Sequence, residues 1–136
     1  MAKVFTAPFA QTPKTATAVC TAAATLVDAA ANTVELLTAG ADGSIVTALS
    51  AIPRATVTAS SLVLFLSKDA GTTKRLIDSE LMAAYTAATT TAIPDTKFAN
   101  IAESYPLRLE AGDKLYVGSQ VALAGGIVFK AEYTDF

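Results

Sequence analysis

Apolar side chains along this chain recur mainly at every second position, the spacing of an extended strand, because successive side chains on a strand point to opposite faces. The strongest instance runs through residues 59–82. Leu62, Leu64 and Leu66 fall on one face and Val63 and Phe65 on the other. A segment apolar on both faces predicts an interior strand, with Phe65 buried between two sheets. Asp69-Ala70-Gly71 then supplies turn residues and a glycine able to take positive φ, so residues 74–81 fold back as the second arm of a hairpin. Lys68 stands beside that turn and is expected to contribute little to stability.

The rest of the chain repeats the theme more weakly. Residues 3–9 form a short extended start carrying Phe5 and Phe9, closed by Pro8 and Pro13, and proline there marks an edge or an arm. Threonine alternates with small apolar residues over 14–21, which favours a strand, since a branched Cβ suits a pleated backbone. The alanine-rich stretch 22–31 is too short for a self-sustaining helix and reads as a loop with at most one helical turn. Two apolar runs, 32–39 and 44–52, are separated by Gly40-Ala41-Asp42-Gly43, an Asp-Gly signal that predicts a hairpin. Pro53 stops the second run. Residues 83–92 read as a surface connection and 97–103 as a strand with Phe98 inward. Residues 105–109 and 114–117 meet at a Glu110-Ala111-Gly112-Asp113 corner. In the last strand Ile127, Phe129, Ala131 and Tyr133 alternate against Val128, Lys130 and Glu132.

About eight short strands with no reliable long helix predict an all-β, antiparallel β-sandwich, and a jelly roll is the wiring that the pattern favours. The predicted organisation is an N-terminal extended arm over 1–13 and one sandwich domain over 14–136. Leu64, Phe65, Leu109, Val117 and Phe129 are its expected core.

Composition narrows the function. The chain has 136 residues, a net charge of −2 and a charged fraction of 16%, with 52% apolar residues, many of them alanine. Its basic residues are scattered apart from Lys74-Arg75, so the clustered cations that nucleic-acid binding requires are not visible. No apolar run approaches the roughly 18 residues of a membrane span, and neither a signal peptide nor a membrane partner is expected. Cys20 is the single cysteine and there is no histidine, which removes a disulfide and a His-paired thiolate together. Asp69, Asp78, Glu80, Asp95, Glu103, Glu110 and Asp113 suit turns and solvated strand faces better than an acid–base pair. The expectation is therefore no enzyme, no catalytic residues, no cofactor and no metal.

From Ser61 onward the chain resembles a family of small tailed-bacteriophage virion proteins. The likeness lies in an aliphatic strand at 62–66, a Gly-Thr turn at 71–73 and an Arg-Leu-Ile strand at 75–77. A Pro-Leu-x-Leu-x-Ala-Gly-Asp-x-Leu-x-Val corner at 106–117 follows, with a terminal aromatic strand at 127–136. It covers somewhat more than half of the chain, and the first 50 residues resemble no family in the same way. The resemblance implies a capsid decoration or head-vertex protein, made in the bacterial host cytoplasm and placed on the head surface. Its partners would be the major capsid protein and further copies of itself, as a trimer or pentamer. Phe5 and Phe9 in the arm, with Tyr85 and Tyr105, are the interface residues expected. The alternative is a carbohydrate- or receptor-binding jelly roll of a fibre, spike base or tail, with Tyr85, Tyr105, Tyr116 and Tyr133 as stacking platforms.

Overall fold

The alternating segments form nine strands among the described residues of the computed structural model, which describes residues 12–136. They are β1 (Thr12–Cys20), β2 (Val34–Thr38), β3 (Ser44–Pro53), β4 (Ser60–Ser67), β5 (Arg75–Met82), β6 (Thr96–Lys97), β7 (Leu107–Leu109), β8 (Lys114–Ser119) and β9 (Ile127–Asp135). Two antiparallel sheets pack face to face as a β-sandwich. Sheet A has the order β1-β9-β3-β6, with β7 also on β3, and sheet B the order β2-β8-β4-β5. The pairing is nested: β4 pairs with β5, β3 with β6 and β7, β2 with β8, and β1 with β9. The nested ribbon is then folded so that β9 also pairs with β3 and β8 with β4.

Inward side chains of both sheets make the main core. Val46, Leu49, Leu62, Leu64, Leu115, Val117, Ile127 and Phe129 are all but inaccessible, and Phe98 packs on Phe129 with ring centroids 6.5 Å apart. Leu64, Leu109, Val117 and Phe129 sit there as their alternation predicts. β1 begins at Thr12, so Thr12 and Pro13 already pair with Asp135 and Thr134 on an edge strand, where proline is tolerated. Phe5 and Phe9 lie outside the described residues.

Three expectations are corrected. The Asp42-Gly43 turn does not close a hairpin: β2 belongs to sheet B and β3 to sheet A, so the turn carries the chain across the core. Gly43 takes φ 89° and its N–H donates to the Gly40 carbonyl at 3.0 Å, while the Ala39 N–H is tied to the Asp113 carbonyl at 2.7 Å. A turn signal reports a change of direction, and the ladder with β9 is what places the next strand in sheet A. The strand expected over 97–103 ends at Lys97, because Phe98 and Ile101 are both buried at a spacing of three, which a turn provides and a strand does not. The Ile101 N–H closes that turn on the Phe98 carbonyl at 3.1 Å.

The third correction concerns Phe65. It is fully buried, but on the outer face of sheet B, in a small second core with Val63, Ala24 and Ala30, flanked by Tyr116. The alanine-rich segment 21–33 lies over this face as a loop without helix. Ala24 donates its N–H to the Ser119 carbonyl at 2.7 Å, and a Cβ on Gly118 would stand 2.8 Å from the Ala24 methyl. Lys74 fastens the other end. Its N–H reaches the Asp28 carbonyl at 2.7 Å, its Nζ reaches the Thr33 hydroxyl at 3.0 Å, and the same Nζ sits 4.6 Å from the Tyr116 ring centroid. Arg75 adds an ion pair to Asp28 at 3.0 Å.

The turns at one end of the sandwich are tied by buried carboxylates. Asp113 accepts from the Glu110 N–H and from Lys68 Nζ, both at 2.9 Å, so Lys68 is the partner of a buried acid and not the neutral turn residue its sequence position suggests. Asp135 accepts from the Ser44 hydroxyl and pairs with Lys14 at 2.7 Å, while Ser44 Oγ accepts from the Gly40 N–H at 3.0 Å. Burial pushes the Asp135 carboxyl up. The hydrogen bonds from Lys14 and Ser44 and the Lys14 charge outweigh this, leaving it below its ordinary value of 3.8.

Phe65→Ala should cost about 3–5 kcal/mol in chemical denaturation, through lost transfer energy and the cavity left under the loop. A loss near zero would mean that the loop does not close over this ring. Because the folded Asp135 value lies below the unfolded one, ionisation stabilises the fold above that range, and the contribution fades as pH falls through the folded value. Asp135→Asn should therefore lower stability by about 1.5–3 kcal/mol at neutral pH, with the gap to wild type closing in acid. A gap independent of pH in urea titrations would contradict the assignment.

Candidate interaction surface

The two outer sheet faces differ. That of sheet B is covered by 21–33 over Val63, Phe65 and Tyr116, with Leu76 and Leu81 of β5 left exposed beside the cover, whereas the residues on the outer face of sheet A are all exposed or half-buried. Ladder register places its side chains in rows, since residues directly opposite one another share a face. One row reads Val19, Val128, Ile52 and the next Thr17, Lys130, Ser50, Lys97. Then come Thr15, Glu132, Ala48 and finally Pro13, Thr134, Ile45, Arg108. The surface thus sets Lys130, Lys97, Arg108 and Glu132 singly among Thr, Ser, Ala, Val, Ile and Pro. A bulge between Val46 and Ala48 displaces Thr47, whose hydroxyl donates to the Glu132 carbonyl at 3.2 Å. Beside it lies an open depression of about 290 Å³ lined by Pro13, Lys14, Thr15, Thr47, Glu132, Tyr133 and Thr134.

The interface tyrosines expected from sequence occupy unlike settings. Tyr85 is half-buried against the main core, and its backbone bridges Val57 through bonds of 2.9 and 3.0 Å. Tyr105 is 57% exposed and closes a turn with Ala102. Tyr116 lies under Lys74 and Tyr133 is half-buried against the core, so the tyrosines do not present a common stacking platform. Cys20 is buried in the core, donates to the Val117 carbonyl at 3.3 Å, and has its thiol pushed up to about 11 by burial. It is a packing residue in its protonated form. Among the described residues, no three His, Cys, Asp or Glu side chains gather as a metal-holding group.

A further apolar margin runs along β5, the outer strand of sheet B, where Leu76, Ile77 and Leu81 are exposed. This edge is blunted against strand addition. A register shift between Leu64 and Phe65 interrupts its ladder, and Asp78 and Glu80 stand opposite the inward Leu64 and Leu62. Asp78 accepts from Asn100 at 3.0 Å and Glu80 from the Ala99 N–H at 3.3 Å. Bulges and inward carboxylates are the devices by which edge strands avoid pairing with other chains. No protein-family model, curated protein or solved structure matches the chain.

Proposed function

We propose that this chain is a structural protein of a tailed-bacteriophage virion, a capsid decoration or head-vertex protein that acts through multivalent subunit contacts. In this reading it has no catalytic activity and needs no cofactor. It is made in the host cytoplasm and ends on the head surface, where it meets the major capsid protein and other copies of itself as a trimer or pentamer. The nested strand order favours a jelly-roll wiring.

The observation that carries the reading is the outer face of sheet A, which none of the described residues covers. Its rows carry Thr, Ser, Ala, Val and Ile between singly placed charges, whereas on sheet B the segment 21–33 covers Val63 and Phe65. Such a surface suits burial against a repeated lattice, where a modest contact made many times holds firmly. The motif order from Ser61 to Phe136 that resembles virion proteins points the same way. The carbohydrate-binding alternative is weaker, because among the candidate tyrosines Tyr105 alone is largely exposed.

Images of particles assembled with and without this chain test the proposal. Density on the head shell that vanishes with the chain is the expected result. Density on a fibre would support the binding alternative, and no difference at any position would remove the virion reading.

A further inference from the structure

Most basic side chains of the described chain are already engaged. Lys14 pairs with Asp135, Lys68 with Asp113 and Glu110, Arg75 with Asp28, Lys114 with Glu35, and Lys74 covers the Tyr116 ring. Four exposed cations form no ion pair among the described residues: Arg54, Lys97, Arg108 and Lys130. All four border or stand on the open face of sheet A. Lys130 and Lys97 share a row across Ser50, roughly 10 Å apart at two strand spacings. Arg108 stands opposite Ile45 in the last row. Arg54 donates to the Gly125 carbonyl at 3.1 Å and lies beside Val19 at the other end of the face, the two side chains flanking Gly126. Glu132 is the carboxylate within these rows, and Asp95 precedes β6.

The protein as a whole is acidic, so its negative charge lies elsewhere. Three turns meet at one end of the sandwich, linked through Ala39, Lys68 and Asp113, and they carry Asp42, Asp69 and Glu110. Glu110 has 85% of its side chain exposed, and its nearest cation, Lys68, stands 3.6 Å away and is shared with Asp113. Contact between two sheet A faces would bring cations together, and contact between two turn ends would bring carboxylates together. A face against an end brings opposite charges together.

We infer that the open face of sheet A receives the acidic turn end of a second copy of this chain, with Lys97, Lys130 and Arg108 opposite Asp42, Asp69 and Glu110. The contact is heterologous, so copies add head to tail and close into a ring when the rotation permits. A polyanion fits less well, because Glu132 stands among the cations and the rows offer Thr, Ala, Val and Ile in place of aromatic or clustered basic readers. The face spans roughly 400 Å², taken from strand spacing and rise. That is about half of the ~800 Å² per partner in a stable complex. One contact alone is therefore weak and salt-sensitive. The inference rests on reading the chain as a repeated structural subunit, yet its test uses the purified protein without particles, so the two can fail separately.

Equal amounts of isotopically heavy and light protein, mixed at the highest soluble concentration, would be treated with a carbodiimide that joins lysine directly to carboxylate. Expected are heavy–light cross-links from Lys97 or Lys130 to Glu110 or Asp42, suppressed in 1 M salt, where the screening length is about 3 Å. Lys97→Glu with Lys130→Glu should weaken self-association about tenfold in sedimentation, a readout that does not need the lysine amines. So should Asp42→Lys with Glu110→Lys. Sedimentation of the two variants should show that they associate with each other but not with themselves, and circular dichroism should show both folded. Self-association of the reversed-face variant at the wild-type level would overturn the inference. So would a lack of intermolecular cross-links in wild type, including the case where the same cations instead retain dextran sulfate.

Discussion

The constraint on which the rest of the structure depends is that β4 is apolar on both faces. Leu62 and Leu64 feed the core between the sheets, which leaves Val63 and Phe65 pointing out of the sandwich. Fully burying a side chain of this size is worth about 1.5–3 kcal/mol, so the outer face of sheet B needs a cover. The alanine-rich segment 21–33 meets that need because small side chains let its backbone lie close. Ala24 fits against Gly118, and Ala30 closes over the phenylalanine with Lys74 as the fastening. The alanine-rich stretch, read from sequence as a loop, is a lining.

Closing one side makes the molecule asymmetric, and the asymmetry orders its surfaces. On sheet B the segment 21–33 covers Val63 and Phe65, and the β5 edge is blunted by a bulge and two anchored carboxylates. Sheet A's outer face carries cations that form no ion pair among the described residues, while Asp69 and Glu110 stand exposed on the turns at one end. That asymmetry is the physical content of the structural-subunit reading, and it does not depend on any one residue performing chemistry.

Much of the fold was legible in local pattern. The alternation in β4 and β9, the glycine turn at Gly71 with φ 94°, and the inward placement of Phe98 all follow from side-chain period and turn chemistry. What could not be read was partnership between distant segments. Asp42-Gly43 announces a turn, but only the ladders of β2 with β8 and β3 with β9 show that it crosses between sheets. Lys68 and Asp113 are 45 residues apart, and nothing local to either signals the pair. The cations of sheet A are scattered singly in sequence. Lys130 was visible as an outward residue of the last strand, but its alignment with Lys97 exists only through the register of β3. Of the four interface residues expected, Phe5 and Phe9 lie outside the described residues, Tyr85 is largely occupied in packing, and Tyr105 remains exposed.

The account turns on which side of sheet B Phe65 occupies, and proton–proton contacts in solution report that directly. Nuclear Overhauser effects from the Phe65 ring to the methyl groups of Ala24 and Ala30, with none to the Phe129 ring, are the result it predicts. Contacts from Phe65 to Phe129 or Ile127, with the Ala24 and Ala30 methyls free of the sheet, would contradict it.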